Sequence, residues 1–326
     1  IYDLRNRMKI FVTGAAGFIG SNFVRRILEN SDNEITVFDL LTYAGSMSTI
    51  EDLKRNSRFH FVHGDICDET LVADAMLGHS AVVHFAAESH VDRSIYEPDV
   101  FIKTNCYGTN VLCKVAQKLG VERFIHISTD EVYGSVLEGS SIETDTLAPR
   151  SPYSASKASS DLIALSYYTT YHLPVAIVRS TNNYGPFQFP EKIIPLFTTN
   201  LLDNIKVPLY GDGKNIRDWC HVSDNCSAIE TVLEAGQTGE IYNVGAGNEI
   251  NNVHLTQMLL DLTNKDESMI KFVDDRAGHD RRYSVNTEKI RALGWNPNVS
   301  LEDGLSNTVK WYADNRSWWE KFKTSS

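Results

Sequence analysis

The stretch Val12–Gly20, VTGAAGFIG, decides the fold. It follows the apolar run KIFVT and opens an amphipathic segment, so Gly14, Gly17 and Gly20 fall at a strand-to-helix turn. Glycines at that spacing let backbone approach a pyrophosphate, whose charge is met by N–H groups at the helix start, at Phe18 and Ile19. A tight turn packing helix on strand is the plainer reading of the glycines alone. Asp39 sharpens the choice, because it ends a second strand, EITVFD, nineteen residues beyond Gly20. A carboxylate there accepts hydrogen bonds from ribose hydroxyls and repels a 2′-phosphate, which favours NAD over NADP.

Outward from this turn, strand-like and helical segments alternate. A helix from Ile19 to Asn30 leads to EITVFD; a helix around Glu69–Leu77 leads to AVVHFA; a long helix before Gly120 leads to RFIHIS; and a helix from Ser154 to His172 leads to PVAIVRS. The order is that of βαβ units, and the core strands lack strict alternation because both faces are covered. The expected fold is α/β, a Rossmann-type doubly wound parallel sheet over residues 1–185, the NAD-binding domain. Beyond Tyr184 the chain crowds Gly, Pro and Asn between short apolar pieces, as in GPFQFPEKIIP and VPLYGDGKNIRDW. Residues 186–326 are therefore read as mainly a smaller, mixed, loop-rich lobe. Within it, a helix and strand over about 219–247 are expected to return to the first lobe. Met8 begins the first strand-like run, so residues 1–7 are expected to lie outside the fold.

The 326 residues carry a net charge of -11, which offers no field for nucleic acid, so an anionic ligand has to be met by local basic groups. Five cysteines, Cys67, Cys106, Cys113, Cys220 and Cys226, form no CxxC pair and fit reduced thiols in a cytoplasmic enzyme. They give no support to a metal site. No apolar run reaches the length of a membrane span.

Two further stretches carry chemistry. In YSASK, Tyr153 and Lys157 stand four residues apart on one helix face, where an ammonium favours the phenolate and lets the tyrosine act as a base. An exposed Tyr/Lys pair is the bland alternative. In STDEVYG, Asp130 and Glu131 stand side by side after Thr129 at a strand end. Mutual repulsion and unequal burial push such acids to different protonation states, so one serves as acid and the other as base. A solvated strand end is the alternative here. Asp65 after the third strand, and Ala86, Ala87 and Ser89 after the fourth, are placed to meet the cofactor, and equally placed to cap helices.

The combination resembles the extended short-chain dehydrogenase/reductases, and within them the dTDP-glucose 4,6-dehydratases. The motifs that carry the resemblance are GAAGFIG, DLLTYAGS, AAESHVDRS (Ala86–Ser94), STDEVYG, YSASK, NNYGPFQFPEK (Asn182–Lys192), YGDGKNIRDW (Tyr210–Trp219) and RAGHDRRY (Arg276–Tyr283), and they run from Met8 to about Trp319. The Thr-Asp-Glu triplet sets this chain apart from sugar-nucleotide 4-epimerases, which usually show small residues there. The resemblance implies that Tyr153, assisted by Thr129, takes the 4-hydroxyl proton, that Glu131 takes the C5 proton, and that a protonated Asp130 releases the 6-hydroxyl as water. It implies as well that NAD is tightly bound and regenerated each turnover. To the cofactor residues it adds Leu40, Thr42, Ile66, Thr104 and Asn183, with Tyr153 and Lys157 on the nicotinamide side. For the nucleoside diphosphate glucose it implies Arg217 and Arg276 at the phosphates, with Lys192, Asn182 and Ile193 nearby. Pro208, Tyr210 and Asn243 are implied around the nucleoside, and Ser89, Thr129, His279 and Tyr283 complete the set. Arg281 and Arg282 stay open between substrate and surface.

Two positions depart from the pattern: Ala277 replaces the usual proline of RPGHD, and Thr181 stands where serine is common. The resemblance also implies a homodimer built from helices around Val100–Lys118 and Ser154–His172. A UDP- or CDP-glucose dehydratase, a 4-epimerase and a non-catalytic NAD-binding scaffold remain the competing readings.

Overall fold

The computed structural model describes residues 7–275 and 278–323. Seven strands form one all-parallel sheet: β1 (Lys9–Thr13), β2 (Glu34–Asp39), β3 (Phe59–His63), β4 (Ala81–His84), β5 (Arg123–Thr129), β6 (Val175–Ser180) and, far along the chain, β10 (Ile241–Val244). Their order is β10-β6-β5-β4-β1-β2-β3. The chain winds outward from β1 in both directions, so a crevice opens between β1 and β4 at the carboxyl ends of the strands, where ligands bind in such sheets. Phe11, Val12, Val82, Val83, Ile125, Ile177 and Val178 are fully buried, since helices cover both faces. β10 pairs in register with β6, and the Val222–Ala235 helix before it packs on the Phe18–Asn30 helix. The 222–244 segment thus belongs to the large layer.

Between β6 and β10, and after β10, the chain builds two small sheets. β7 (Asn182–Tyr184), β9 (Ile216–His221) and β11 (Glu249–Asn251) form one, in the order β11-β9-β7; β8 (Val207–Tyr210) pairs with β12 (Ile270–Val273) in the other. A separate apolar cluster of Tyr184, Phe197, Leu209, Trp219, Leu255 and Leu305 holds them together.

Two helices differ from their sequence reading. The long helix before Gly120 opens α-helical over Pro98–Phe101, is π-helical over Ile102–Gly108 and is α-helical again over Thr109–Leu119. No proline or glycine pattern announces this. The helix expected from Ser154 begins two residues earlier, at Pro152, because Ser151 and Ser154 cap each other reciprocally and Pro152 takes the first helical position.

Gly14 has φ +71, and a Cβ added there would lie 2.4 Å from the Ala86 nitrogen. Both the conformation and the close approach of two backbones require glycine. Gly14→Ala is expected to cost about 1–3 kcal/mol of stability from the strained backbone and to abolish NAD binding, as read by thermal unfolding and cofactor titration.

Candidate active site

A cavity of about 910 Å³ runs from the β1 turn, past the ends of β4 and β5, to the small lobe. At one end Gly14, Gly17, Phe18, Ile19 and Gly20 line it. The Phe18–Asn30 helix begins at Gly17 with no side chain capping it, so its first N–H groups open on the cavity. Asp39, at the end of β2, accepts from the backbone N–H of Ala16 at 2.9 Å and of Leu41 at 2.8 Å. Burial nonetheless raises its pKa above the ordinary carboxylate value. Leu40, Thr42, Asp65, Ile66, Ala86 and Ala87 line the same end. Asp65 Oδ1 accepts from the N–H of Cys67 at 2.9 Å, so the turn-forming role is present alongside its place on the wall.

The chemical end is built by β5 and the helix Pro152–Tyr171. Thr129 ends β5; its hydroxyl accepts from the Glu131 N–H and donates to Asp130 Oδ1, each at 3.2 Å. Those bonds turn the chain into the short 3-10 segment Asp130–Tyr133 and aim both acids at the cavity. Asp130 is only 3 % exposed, and its Oδ2 has no hydrogen-bond partner among the described residues. Burial, then the charge of Glu131, push its pKa up to about 8, against the pull of Arg217. Asp130 is therefore a neutral acid at pH 7 beside a second carboxyl group.

Lys157 donates to the carbonyl of Ile127 at 2.7 Å, deep in the sheet, and burial lowers its pKa to about 8. Tyr153 reaches the same cavity. The expected lowering of Tyr153 by Lys157 is not what the surroundings produce. Burial, Glu131 and Asp130 raise the phenol well above its usual pKa, a bond to Thr129 works the other way, and Lys157 is not among the main contributors.

Toward the small lobe, Ser89, Thr104, Asn182, Asn183, Lys192 and Ile193 line the cavity, followed by Pro208, Tyr210, Arg217 and His279. Lys192 donates to the Ser89 carbonyl at 2.9 Å. Arg217 is held by the carbonyls of Ile216 and Asp280 and lies 4.2 Å over the ring of Tyr283. Three expectations need separate statement. Tyr283 is not on the cavity wall; it is buried behind Arg217, with its hydroxyl on Asp280 at 2.8 Å. Asn243 is fully buried at the end of β10, accepting from the Tyr133 hydroxyl and donating to the Ser141 carbonyl, and it does not line the cavity. Arg276 and the departure at Ala277 lie outside the described residues. The two open arginines are tied to protein: Arg281 to Asp212, and Arg282 to Glu249 and the carbonyls of Val136 and Gly139.

Several wall residues are given no role by the sequence reading, chief among them Asn252, and Tyr43, Phe189 and Glu191 within its motifs. Asn252 has a buried, unpartnered Oδ1 at the start of the helix Asn252–Leu262, where Asn251 supplies the cap. The doubled asparagine in EINN was the available signal, since only one of the pair is needed for capping. Asp130, Asn182, Asn183, Gln188 and Asn252, all lining the cavity, each carry a buried oxygen with no hydrogen-bond partner among the described residues. Among the described residues, no cluster of three or more His, Cys, Asp or Glu side chains is arranged for a metal, and no helix is long and apolar enough to cross a membrane.

The model of the family described as GDP-mannose 4,6 dehydratase matches residues 11–308. A dTDP-glucose 4,6-dehydratase of Actinoplanes sp. is 51% identical over 319 residues, covering 96% of this chain and 100% of its own. The crystal structure of DesIV, a dTDP-glucose 4,6-dehydratase of Streptomyces venezuelae with NAD bound, superposes with a TM-score of 0.95 at 52% identity, covering 97% of this chain and 100% of its own. A UDP-glucose 4-epimerase of Thermotoga maritima has the same fold, with a TM-score of 0.88, but only 32% identity over 95% of this chain and 100% of its own. With the fold, the glycine turn and the Thr-Asp-Glu corner all in place, the chain belongs to the NAD-dependent nucleotide-sugar 4,6-dehydratases, in the dTDP-glucose 4,6-dehydratase family.

Proposed function

We propose that the protein converts dTDP-glucose to dTDP-4-keto-6-deoxyglucose by oxidation at C4, loss of water across C5 and C6, and reduction at C6. The observation that carries the reading is Asp130, a carboxyl group kept neutral to about pH 8 beside Glu131 in the same cavity. Removing water needs an acid for the leaving hydroxyl and a base for the C5 proton, whereas epimerisation at C4 needs neither.

The uncapped helix start at Gly17, the close-packed Gly14 turn and the Asp39 carboxylate suit NAD. Bound there, NAD accepts hydride from the sugar's C4 and returns it to C6. The residues of the chain handle the protons. Tyr153, with Thr129, takes the 4-hydroxyl proton; with Asp130 neutral, one of the two charges that oppose its ionisation is gone. Lys157 supplies a cation on the same helix face. Glu131 then takes the C5 proton, acidified by the ketone, and Asp130 donates to the 6-hydroxyl. Arg217, braced from behind by Tyr283 and Asp280, meets the diphosphate, with Lys192 beside it. Asn252, on the cavity wall, meets the nucleoside side.

The lobes divide near residue 185, with 222–244 returning to the first. The active form is a homodimer in the cytoplasm, where the five cysteines, all unpaired, stay reduced. Its interface is formed by Ile102–Leu119 and Pro152–Tyr171, which leave Tyr107 52% and Leu162 60% exposed, together with Ile102 and Tyr171. The double variant Tyr107→Asp/Leu162→Asp is expected to sediment as a folded monomer at micromolar concentration, where the unaltered chain sediments as a dimer.

The function is tested by incubation with dTDP-glucose, without reductant, in ordinary and deuterated water. The expected product has lost one water and gained solvent deuterium at C5. A product of unchanged mass that is the C4 epimer would replace the dehydratase with an epimerase.

A further inference from the structure

One buried group near the site has no part in the steps above. Asp161 follows Lys157 by four residues on the helix Pro152–Tyr171, so the two share a face. It is 0 % exposed. Its Oδ2 receives Arg179 Nε at 2.9 Å, and its Oδ1 has His126 Nε2 at 3.4 Å. Arg179, buried in β6, donates onward from Nη1 to the Tyr133 hydroxyl at 2.8 Å and stacks 4.8 Å from that ring. The Tyr133 hydroxyl donates to Asn243 Oδ1 at 2.8 Å. Tyr133 closes the turn that starts with Asp130 and Glu131. A continuous chain of charged and polar contacts therefore runs from the Tyr153–Lys157 helix, through β6, to the far end of the acid-bearing turn.

A fully buried ion pair is poor value for stability alone, since apolar residues of similar volume often do as well. What the pair does provide is geometry, because a guanidinium with one edge on a carboxylate and another on a phenol has a fixed orientation. We propose that Asp161 is a positioning residue for the reaction, holding the turn that bears Asp130 and Glu131 in register with the helix that bears Tyr153 and Lys157, through Arg179 and Tyr133. The proposal rests on the dehydratase reading above. It also explains why Asn243 is occupied: it anchors the outer end of the relay against the Ser141 carbonyl.

Asp161 has a second consequence for Lys157. The groups coupled to this ammonium are Asp161 on its own helix, Cys106 on the π-helical stretch, His84 on β4 and His126 on β5. Burial keeps both histidines below their usual pKa, so they are neutral at pH 7. Asp161 is then the carboxylate in this set, the main counter-charge to the lysine.

Asp161→Asn keeps the shape and removes the charge. In the NAD-loaded enzyme kcat for dTDP-glucose is expected to fall about 100-fold, as for a misplaced catalytic group, with KM within about threefold of the original. Tyr133→Phe keeps the ring and cuts only the relay. It is expected to slow water loss about 10-fold and spare C4 oxidation, so that quenched reactions contain a nucleotide sugar two hydrogens lighter than substrate. The double variant should be no slower than Asp161→Asn alone, because both changes cut one path. In cofactor-free protein, acetylation of Lys157 by acetic anhydride, followed by mass spectrometry across pH, should shift to lower pH in Asp161→Asn and stay unchanged in Tyr133→Phe. Additive rate losses with no shift in labelling would reduce Asp161 to a packing group and overturn the proposal. If Asp161→Asn fails to fold, an unaltered product profile in Tyr133→Phe overturns it equally. A wild-type enzyme that removes no water, with the labelling shift still seen in Asp161→Asn, would overturn the function and leave the Asp161–Lys157 link standing.

Discussion

Asp130→Asn is expected to cut formation of the 6-deoxy product by about 100- to 10,000-fold, the usual worth of a general acid, while making the fold more heat-stable than wild type at about pH 8. The two effects have one cause. Asp130 is buried beside Glu131 with one oxygen unpartnered, so ionising it in the folded state is costly. Its folded pKa is raised to about 8 from the ordinary aspartate value of 3.8. Between those values the folded protein holds a proton that the unfolded chain has released, so stability falls as pH rises through that window. An asparagine does not titrate and escapes the loss. At about 1.4 kcal/mol per pH unit the difference grows to several kcal/mol, less about 1–3 kcal/mol for an amide N–H left unpaired there. The variant's gain in Tm should be largest near pH 8 and give way to a small loss toward pH 4, where only the amide penalty remains. Wild-type kcat should fall as pH rises past about 8, when Asp130 loses the proton it must donate and Lys157 loses its charge. Because C4 oxidation does not use Asp130, the variant should accumulate the 4-keto, still 6-hydroxylated nucleotide. An equal Tm at pH 8, or a normal yield of 6-deoxy product, would remove Asp130 from the acid's role.

What could be read from sequence follows how local each feature is. The turn at Gly14–Gly20, the acid corner at Thr129–Glu131 and the Tyr153–Lys157 pair are each written within a few consecutive residues, so pattern and chemistry coincide. The partner of Arg217 is different. Tyr283 looks like a ligand contact in RAGHDRRY, but the fold uses it as the surface on which the guanidinium rests. Asn243 and Asn252 lie nine residues apart, and which of them faces the cavity depends on where β10 ends and how β11 crosses β9. No local pattern contains that information. The same holds for Asp161, one of many acids on helix faces until Arg179 arrives from another strand. The electrostatic inference for Tyr153 failed for a related reason. Spacing identifies the lysine, but the burial and the neighbouring carboxyl groups that raise the phenol come with β5 and its turn.

Tyr153→Phe is the complementary experiment, expected to reduce turnover by about 100- to 10,000-fold and to leave nothing oxidised at all. The ring is retained, and with it the edge contact to Phe101, so the helix Pro152–Tyr171 keeps its packing. The loss is confined to the hydroxyl that Thr129 hydrogen bonds. Since the C5 proton becomes acidic only once C4 carries a ketone, Glu131 has nothing to act on in this variant, however well it is placed. Substrate recovered from deuterated water should therefore contain no deuterium at C5, and no keto intermediate should appear in quenched samples. Asp130→Asn stops after oxidation and Tyr153→Phe stops before it, so the two variants divide the reaction at the 4-ketone. Supplying that ketone directly, as the 4-keto-glucose nucleotide together with NADH, should restore 6-deoxy product in Tyr153→Phe and fail to do so in Asp130→Asn. The opposite pattern would mean that the tyrosine serves the second half of the reaction and that the proton transfers are assigned to the wrong groups.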